Sequence, residues 1–474
     1  MKTYLGIDVG SLTCKIVLIN EKNEIIFSSY FRTEGNPIEA IQKGLKELGI
    51  WIKNHNPEID PVRNIISNGV EIAGVGTTGS ARHLAGVITG ADLIKNEITA
   101  HAKGTTYFIP DVRTIIEIGG QDSKVIILEN GVAVDFAMNL LCLTKDTKII
   151  TENYLPKPIA EIKIGEKVLT HKERFKPIEQ VYERNYKGEM IRIGGSNSIR
   201  LDITPNHRIL ALKEKNKFSE PEFIQAKALR EGDYIVSFKE KSLDRVLKPI
   251  RKIIKYNFNG LVYNLNVKDD HSYVANSVVI SNCAAGTGSF LDAQAFRLDV
   301  PIEKFGELAL GSKSPTTVSS RCTIFAESDM IHKQQIGHKI EDIVAGLCQG
   351  LARNFLANVA KGKNIQPPSV FLGGVSENVG MRWAFEKALN QKIIVPKYNT
   401  VLGAFGVALL AKELNLQKTK FFGFGISDKN IKCTSFICHS CPNQCEVIEA
   451  RIEGKVIARW GDRCGKWSNL NVKS

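Results

Sequence analysis

The chain has 474 residues, 43% of them hydrophobic and 24% charged, with 39 Gly, 16 Pro and 10 Cys, which excludes collagenous and low-complexity classes and leaves room for two or three folded domains. Asp8 interrupts the opening MKTYLGIDVG where a secretory leader would be apolar, and no stretch approaches the ~18–20 apolar residues of a membrane span, so a cytoplasmic protein without a membrane partner is expected. Of the net charge of +13, residues 142–282 supply 26 Lys and Arg against 18 Asp and Glu, and no basic helix or basic-aromatic patch accompanies the excess, which argues against nucleic acid.

From the N-terminus, YLGIDVG, CKIVLIN and EIIFSSY read as strands and PIEAIQKGLKELGIWIKN as an amphipathic helix, with RTIIEIGG and SKVIILEN as a strand pair. This is an α/β pattern. The first two strands meet at a Gly-centred turn whose N–H groups at Gly10, Ser11 and Leu12 are expected around a phosphate, with Asp8 facing its Mg²⁺. The second pair repeats the logic, with Gly119 and Gly120 in the turn and Gln121 and Asp122 as polar side chains. Cys14 and, further on, Cys348 stand alone in apolar runs and are expected as packed thiols.

From 142 to 282 the helical periodicity vanishes, and TKIIT, EKVLTH, HRILALK, DYIVSF, LVYNLNV and SVVIS follow one another through polar turns. This block opens on Cys142, carries Thr204 and His207 as Thr-x-x-His in LDITPNHRIL, and closes on Asn282 before Cys283. The set resembles an intein, a mini-intein without a homing endonuclease, over all 141 residues of the block. The resemblance implies autocatalysis: Cys142 attacks the preceding carbonyl, Thr204 and His207 activate that amide, Cys283 takes over the acyl group, and Asn282 cyclises to release the block. Two positions depart from the family: Ser281 stands where His is usual, and Asn264 where Asp is frequent, so His271 is expected to assist. The alternative is an ordinary inserted β domain.

After 283 helices return in ESDMIHKQQIGHKIEDIVAGLCQGLARNFLANVAKG, and FLGGVSENVG forms a third Gly-rich turn, with Gly373, Gly374 and Glu377 expected at an adenosine. Removing 142–282 joins AMNLL to CAAGTGSF in one continuous host. Three such turns in this order resemble the two-lobed actin, sugar-kinase and heat-shock-chaperone ATPases. GIDVGS, IEIGGQD, CAAGTGSFLD, SSRCTIFAESD and GGVSEN resemble the BadF/BcrA activases in particular. That resemblance implies an α/β two-lobed actin/hexokinase-like host bearing an all-β Hedgehog/intein-type insert. It also implies ATP and Mg²⁺ served by Asp8 and Asp122, and a homodimer sharing one [4Fe–4S] cluster through Cys283 and Cys322 of each subunit. The implied partners are an iron–sulfur dehydratase or reductase-like enzyme and a low-potential donor such as ferredoxin.

Residues 413–474 are expected as a small separate tail in which Cys433, Cys438, Cys441, Cys445 and Cys464 are dense enough for Zn²⁺ or a second Fe–S cluster. The expected segments are thus 1–141, 142–282, 283–412 and 413–474. A carbohydrate or acyl kinase, or an ATP-binding redox-sensing regulator, remains open as an alternative for the host.

Overall fold

The computed structural model describes residues 1–10, 12–55, 70–120, 122–138, 142–195, 199–213, 220–238, 244–281, 287–318, 323–441, 445–462 and 464–468. Among them the chain opens with β1 (Lys2–Val9), β2 (Thr13–Asn20), β3 (Ile25–Arg32), α1 (Pro37–His55), β4 (Glu71–Thr78), α2 (Arg82–Thr89), β5 (Leu93–Ile94), α3 (Glu97–Phe108), β6 (Thr114–Ile118), β7 (Ser123–Glu129) and β8 (Val132–Met138). An all-β stretch follows: β9 (Leu143–Thr144), β10 (Lys148–Ile150), β11 (Pro156–Pro158), β12 (Lys167–Leu169), β13 (Phe175–Gly195), β14 (Arg200–Ile203), β15 (Arg208–Leu212), β16 (Glu222–Gln225), β17 (Tyr234–Phe238), β18 (Arg245–Val267), β19 (Ser272–Ala275) and β20 (Val278–Ser281). The last part holds α4 (Gly288–Arg297), α5 (Ile302–Leu310), α6 (Thr323–Gln335), α7 (Ile340–Asn358), β21 (Ser369–Leu372), α8 (Val379–Leu389), β22 (Ile393–Ile394), α9 (Leu402–Glu413), β23 (Ile431–Ile437), β24 (Glu446–Ile452) and β25 (Lys455–Trp460).

The chain divides into two compact units, one of Met1–Arg113, Ile126–Asp135 and Pro396–Ser474, the other of Thr114–Val125 and Phe136–Val395. In the first, a five-stranded sheet runs β3-β2-β1-β4-β5, antiparallel through β3, β2 and β1 and parallel from β1 to β5. Leu5, Ile7 and Val9 of β1 and Ile16 and Leu18 of β2 are fully buried against Ile41, Leu45 and Leu48, the apolar stripe that the 3.6-residue period of α1 announces. Cys14 and Cys348 are both fully buried, and burial pushes each thiol up to about 12. The cysteine-rich tail is less separate than its sequence implies. Phe421, Phe424 and Ile426 belong to the same buried cluster, and Gln42 Nε2 donates to the carbonyls of Ile426 and Lys429 at 3.2 and 2.8 Å. β23, β24 and β25 then form an antiparallel sheet that the cysteine spacing did not foretell.

In the second unit β21 pairs in parallel with both β6 and β22, and Phe355, Phe371 and Phe385 meet edge-on where α7, β21 and α8 pack. The all-β stretch lies wholly within this unit. Its frame is the pair β13 and β18, antiparallel from Ile178 opposite Val267 to Gly195 opposite Ile250. The N-terminal part of β18 pairs instead with β17, so one long strand serves two ladders. Side-chain alternation divides the strands between two buried clusters. Leu143, Ile203, Ile209, Tyr273 and Ile280 fill one; Leu169, Leu210, Phe223, Val274 and Val279 fill the other. No described helix is long and apolar enough to cross a membrane.

Candidate functional site

The two ends of the all-β stretch are brought to one turn. β9, its first strand, pairs with β14 and β18, while β20, its last, pairs with β15, β17 and β19. β14 and β15 are joined by residues 204–207, a tight turn closed by His207 N–H to Thr204 O at 3.0 Å. The Thr-x-x-His spacing thus hands one side chain to each end. The Cys142 N–H, part of the amide at the block's start, donates to Thr204 Oγ1 at 2.8 Å, and the Thr204 N–H donates to Cys142 O at 3.0 Å. His207 Nε2 lies 2.8 Å from the carbonyl oxygen of Ser281.

This turn is dry: Cys142, Thr204, His207 and Ser281 are all 2% exposed or less. Burial pushes His207 down to about 4, with the backbones of Ser281 and Cys142 pulling weakly the other way, so the imidazole is neutral near pH 7. Nε2 then carries the proton towards Ser281 O, while Nδ1 is buried with no hydrogen bond among the described residues, although the Cys142 backbone lies near enough to act on the ring. His271 stands next to Ser272, which pairs with Ser281 in the β19–β20 ladder; burial and then Arg297 hold it down to about 4 as well. Asn282 and Cys283 lie outside the described residues, so their share of the site is not described.

The glycine turns fall in both units. In the first, the β1–β2 hairpin places Asp8 opposite Lys15, whose Nζ reaches Asp8 Oδ2 at 3.2 Å. Asp8 is 4% exposed, and a Cβ added at Gly79 or Gly403 would come within 2.5 or 2.7 Å of its carboxylate oxygens, so two bare backbones frame it. The Gly10 N–H, expected at a phosphate, is committed to the turn through Thr13 O at 2.9 Å, and Ser11 lies outside the described residues beside Leu12. In the second unit Gly119 N–H closes its own turn on Asp122 O at 3.0 Å, and Gln121 is not described. The carbonyls of Gly119 and Gly120 accept from Gly288 and Ser289 N–H at 2.9 and 2.8 Å, seating the start of α4 on this turn. Gly373 takes φ +87°, and a Cβ there would meet Ile118 O at 2.4 Å, so the Gly373–Gly374–Glu377 turn presses on β6 as only glycine allows.

Sequence reading missed three charged residues here. Lys124, 3% exposed, bridges Glu117 at 2.7 Å and Asp122 at 3.2 Å. Lys15 and Glu117 complete the set. The signal was available, because Asp8 and Lys15, like Glu117 and Lys124, are an acid and a lysine seven apart across a hairpin turn. By that repeat Glu117, not Asp122, corresponds to Asp8.

The cysteines assigned to metal fare differently. Cys322, expected as a cluster ligand, lies outside the described residues, and α6 is described from Thr323 onward. Cys438 N–H donates to Cys445 O at 2.7 Å, Cys433 lies on β23, and Cys464 is exposed. Among the described residues no three His, Cys, Asp or Glu converge as a metal site, so Cys433, Cys438, Cys441, Cys445 and Cys464 are not gathered into one.

A hairpin-framed acid, a glycine turn on a parallel strand pair and a dry turn binding both ends of an inserted all-β stretch define a nucleotide-binding α/β protein interrupted by a second, self-contained fold. Residues 5–148 and 265–411 match the BadF/BadG/BcrA/BcrD ATPase family, and the chain belongs to that family. It is 36% identical over 160 residues to the 2-hydroxyisocaproyl-CoA dehydratase activator of Clostridioides difficile, covering 34% of this chain and 55% of the relative. The chain spans about half the length of the curated relatives it matches. Among solved structures, the (R)-2-hydroxyglutaryl-CoA dehydratase component A of Acidaminococcus fermentans shares the fold at a TM-score of 0.50 and 22% identity, covering 87% of this chain and 99% of that one. The gp41-1 intein matches 30% of this chain and all of its own length, at 18% identity and a TM-score of 0.25.

Proposed function

We propose that this chain is a self-splicing precursor of an ATP-dependent activator. Residues 142–282 act as a mini-intein, and the joined host 1–141/283–474 uses ATP to drive low-potential electrons into a partner enzyme of the 2-hydroxyacyl-CoA dehydratase or benzoyl-CoA reductase type. The observation that carries the splicing half is the turn 204–207, with Thr204 on the Cys142 amide and His207 on the Ser281 carbonyl. Cys142 Sγ would bond to the Leu141 carbonyl carbon and the C–N bond would break, the departing nitrogen taking a proton while Thr204 Oγ1 orients its N–H. Neutral His207 can take up a proton only against the burial that holds it down to about 4, so any proton it accepts is readily passed on. Transfer to Cys283, cyclisation of Asn282 and an S-to-N shift complete the ligation.

The activator half rests on family membership and on the framed acids and glycine turns. Asp8 would hold Mg²⁺ with Lys15 balancing charge, and Glu117, Asp122 and Lys124 would order the second phosphate turn. The [4Fe–4S] cluster implied for Cys283 and Cys322 would supply the one-electron carrier, with the start of α6 favouring its negative charge. Relatives named as dehydratase activators support this partner class. Intact-mass measurement of the expressed chain tests the splicing half. In proportion to residue number, the 52.5 kDa precursor should give a host of about 37 kDa and a fragment of about 16 kDa. Persistence of the full mass under reducing conditions would reject it.

A further inference from the structure

Asp8 has two polar neighbours in the first unit that the proposed function does not use. In the parallel β1–β4 pairing Thr78 is the register partner of Asp8, so both side chains leave the same face of the sheet. Thr78 is fully buried, and its Oγ1 makes no hydrogen bond among the described residues. His101 comes from the second turn of α3. A Cβ added at Gly403 of α9 would lie 3.2 Å from His101 Cε1 and 2.7 Å from Asp8 Oδ2, so ring and carboxylate border one bare backbone position. Cε1 is bonded to both ring nitrogens, so it is the polar edge of the imidazole that faces this spot. His101 is 7% exposed, and its Nδ1 is buried with no hydrogen bond among the described residues. The ring is also held in place. A Cβ at Gly104 would stand 2.2 Å from Leu402 O, so α3 packs backbone against backbone on α9.

A buried polar atom left unpaired is costly, and one that persists in a folded chain calls for a partner from outside it. Lys15 Nζ reaches Asp8 Oδ2 at 3.2 Å, so this corner gathers an ammonium, a carboxylate, a hydroxyl and an imidazole. The set matches a phosphate with its cation: the carboxylate suits positive charge, and the other three suit oxygen. We propose that His101 and Thr78 are further binding residues of the Asp8 site, each pairing its buried polar atom with an oxygen of the bound group, either a phosphate oxygen or a water on the divalent cation. This rests on the assignment of Asp8 to a nucleotide.

The test uses Mn²⁺–ADP as the probe and the full chain locked against splicing by Cys142→Ala with Asn282→Ala. Affinity is read from the loss of the paramagnetic resonance signal of free Mn²⁺. Thr78→Val keeps the shape of the side chain and removes the unpaired hydroxyl. It should weaken binding about tenfold, the loss of one hydrogen bond to a charged group, without lowering the ligand-free melting temperature, because no internal bond is lost. His101→Leu should weaken binding by a similar factor. His101→Asn or His101→Gln, one of which sets an amide where the lost nitrogen stood, should restore most of it. Circular dichroism confirms each fold, and Thr78→Val carries the test if His101→Leu unfolds. ADP binding in EDTA separates the two sources of oxygen: it weakens in the variants if the oxygen is the phosphate's, and holds if it is a water on the cation. Unchanged Mn²⁺–ADP affinity in either folded variant overturns the proposal. So do two amide variants as weak as the leucine one, which would leave the ring a packing role alone. A parent chain that binds no Mn²⁺–ADP rejects the nucleotide assignment and this proposal with it, whereas a binding parent with unaffected variants rejects this proposal alone.

Discussion

His207 is the residue whose environment does most to define its chemistry. Removing its ring by His207→Ala should slow cleavage at Cys142 by about 10²-fold or more, read as the rate at which dithiothreitol releases the N-terminal segment. Thr204→Ala should act at the same step, because it strips the Cys142 N–H of its acceptor in a dry site, at a cost of about 1–3 kcal/mol. The histidines also set an acid limit on stability. His171, His207 and His271 are each pushed down to about 4, chiefly by burial. Their unfolded forms take a proton near pH 6.5, but the folded forms do not until about pH 4. Stability should therefore be full above about pH 6.5 and fall steadily towards pH 4. Asp270 works in a different window. Burial pushes its carboxyl up, but Arg174 and Thr170 outweigh that and hold it well below the usual range, so its contribution is lost only in stronger acid. Melting curves of the chain and of His207→Gln across pH 4–7 check this, the variant being expected to show a shallower decline.

Among the elements, α9 shows how close packing can override helix propensity. It is buried nearly all round, with Leu402, Ala404, Phe405, Val407 and Ala408 fully enclosed. A Cβ at Gly406 would stand 1.9 Å from the carbonyl oxygen of Ala100 on α3, a backbone atom that cannot step aside. Gly406→Ala should therefore destabilise the first unit by about 1–3 kcal/mol through overpacking, despite the better helix propensity of alanine. Thermal unfolding in the presence and absence of the variant decides it, and a stabilised variant would refute the close approach. The β14–β15 turn shows the same dependence on packing. Its four residues, 204 to 207, link the strand pair that begins the insert to the pair that ends it, so the motif has meaning only because two ladders converge there.

For the whole molecule, the prediction is that two activities on one chain separate by mutation. Asp8→Ala should abolish ATP hydrolysis by the spliced host and leave splicing untouched, because Asp8 is framed by its own hairpin and by Gly79 and Gly403. Cys142→Ala with Asn282→Ala should block splicing and leave a chain that runs at its full 52.5 kDa. Both are read by intact mass and phosphate release from the same preparations. An Asp8→Ala host that still hydrolyses ATP at the parent rate would reject that acid as the Mg²⁺ ligand.

The alternation of strand and helix patterns, the all-β interval between Cys142 and Ser281, the three glycine turns and the stripe of α1 were legible in the residues because each is a local pattern, set by side-chain period and by glycine's backbone freedom. Family membership followed from the same short motifs. The long-range partners were not legible. The seven-residue spacing across each hairpin could have paired Lys15 with Asp8 and Lys124 with Glu117, but nothing local says that Thr204 meets the Cys142 amide or that His207 meets the Ser281 carbonyl, since each depends on strand register. The tail gave its cysteines but not its β-sheet, nor the burial of Phe421 and Phe424 against α1, because cysteine spacing reports on metal chemistry and not on which apolar surface is available. Local sequence determined what each segment is. The long-range pairing of strands, which no short window contains, decided which segments meet.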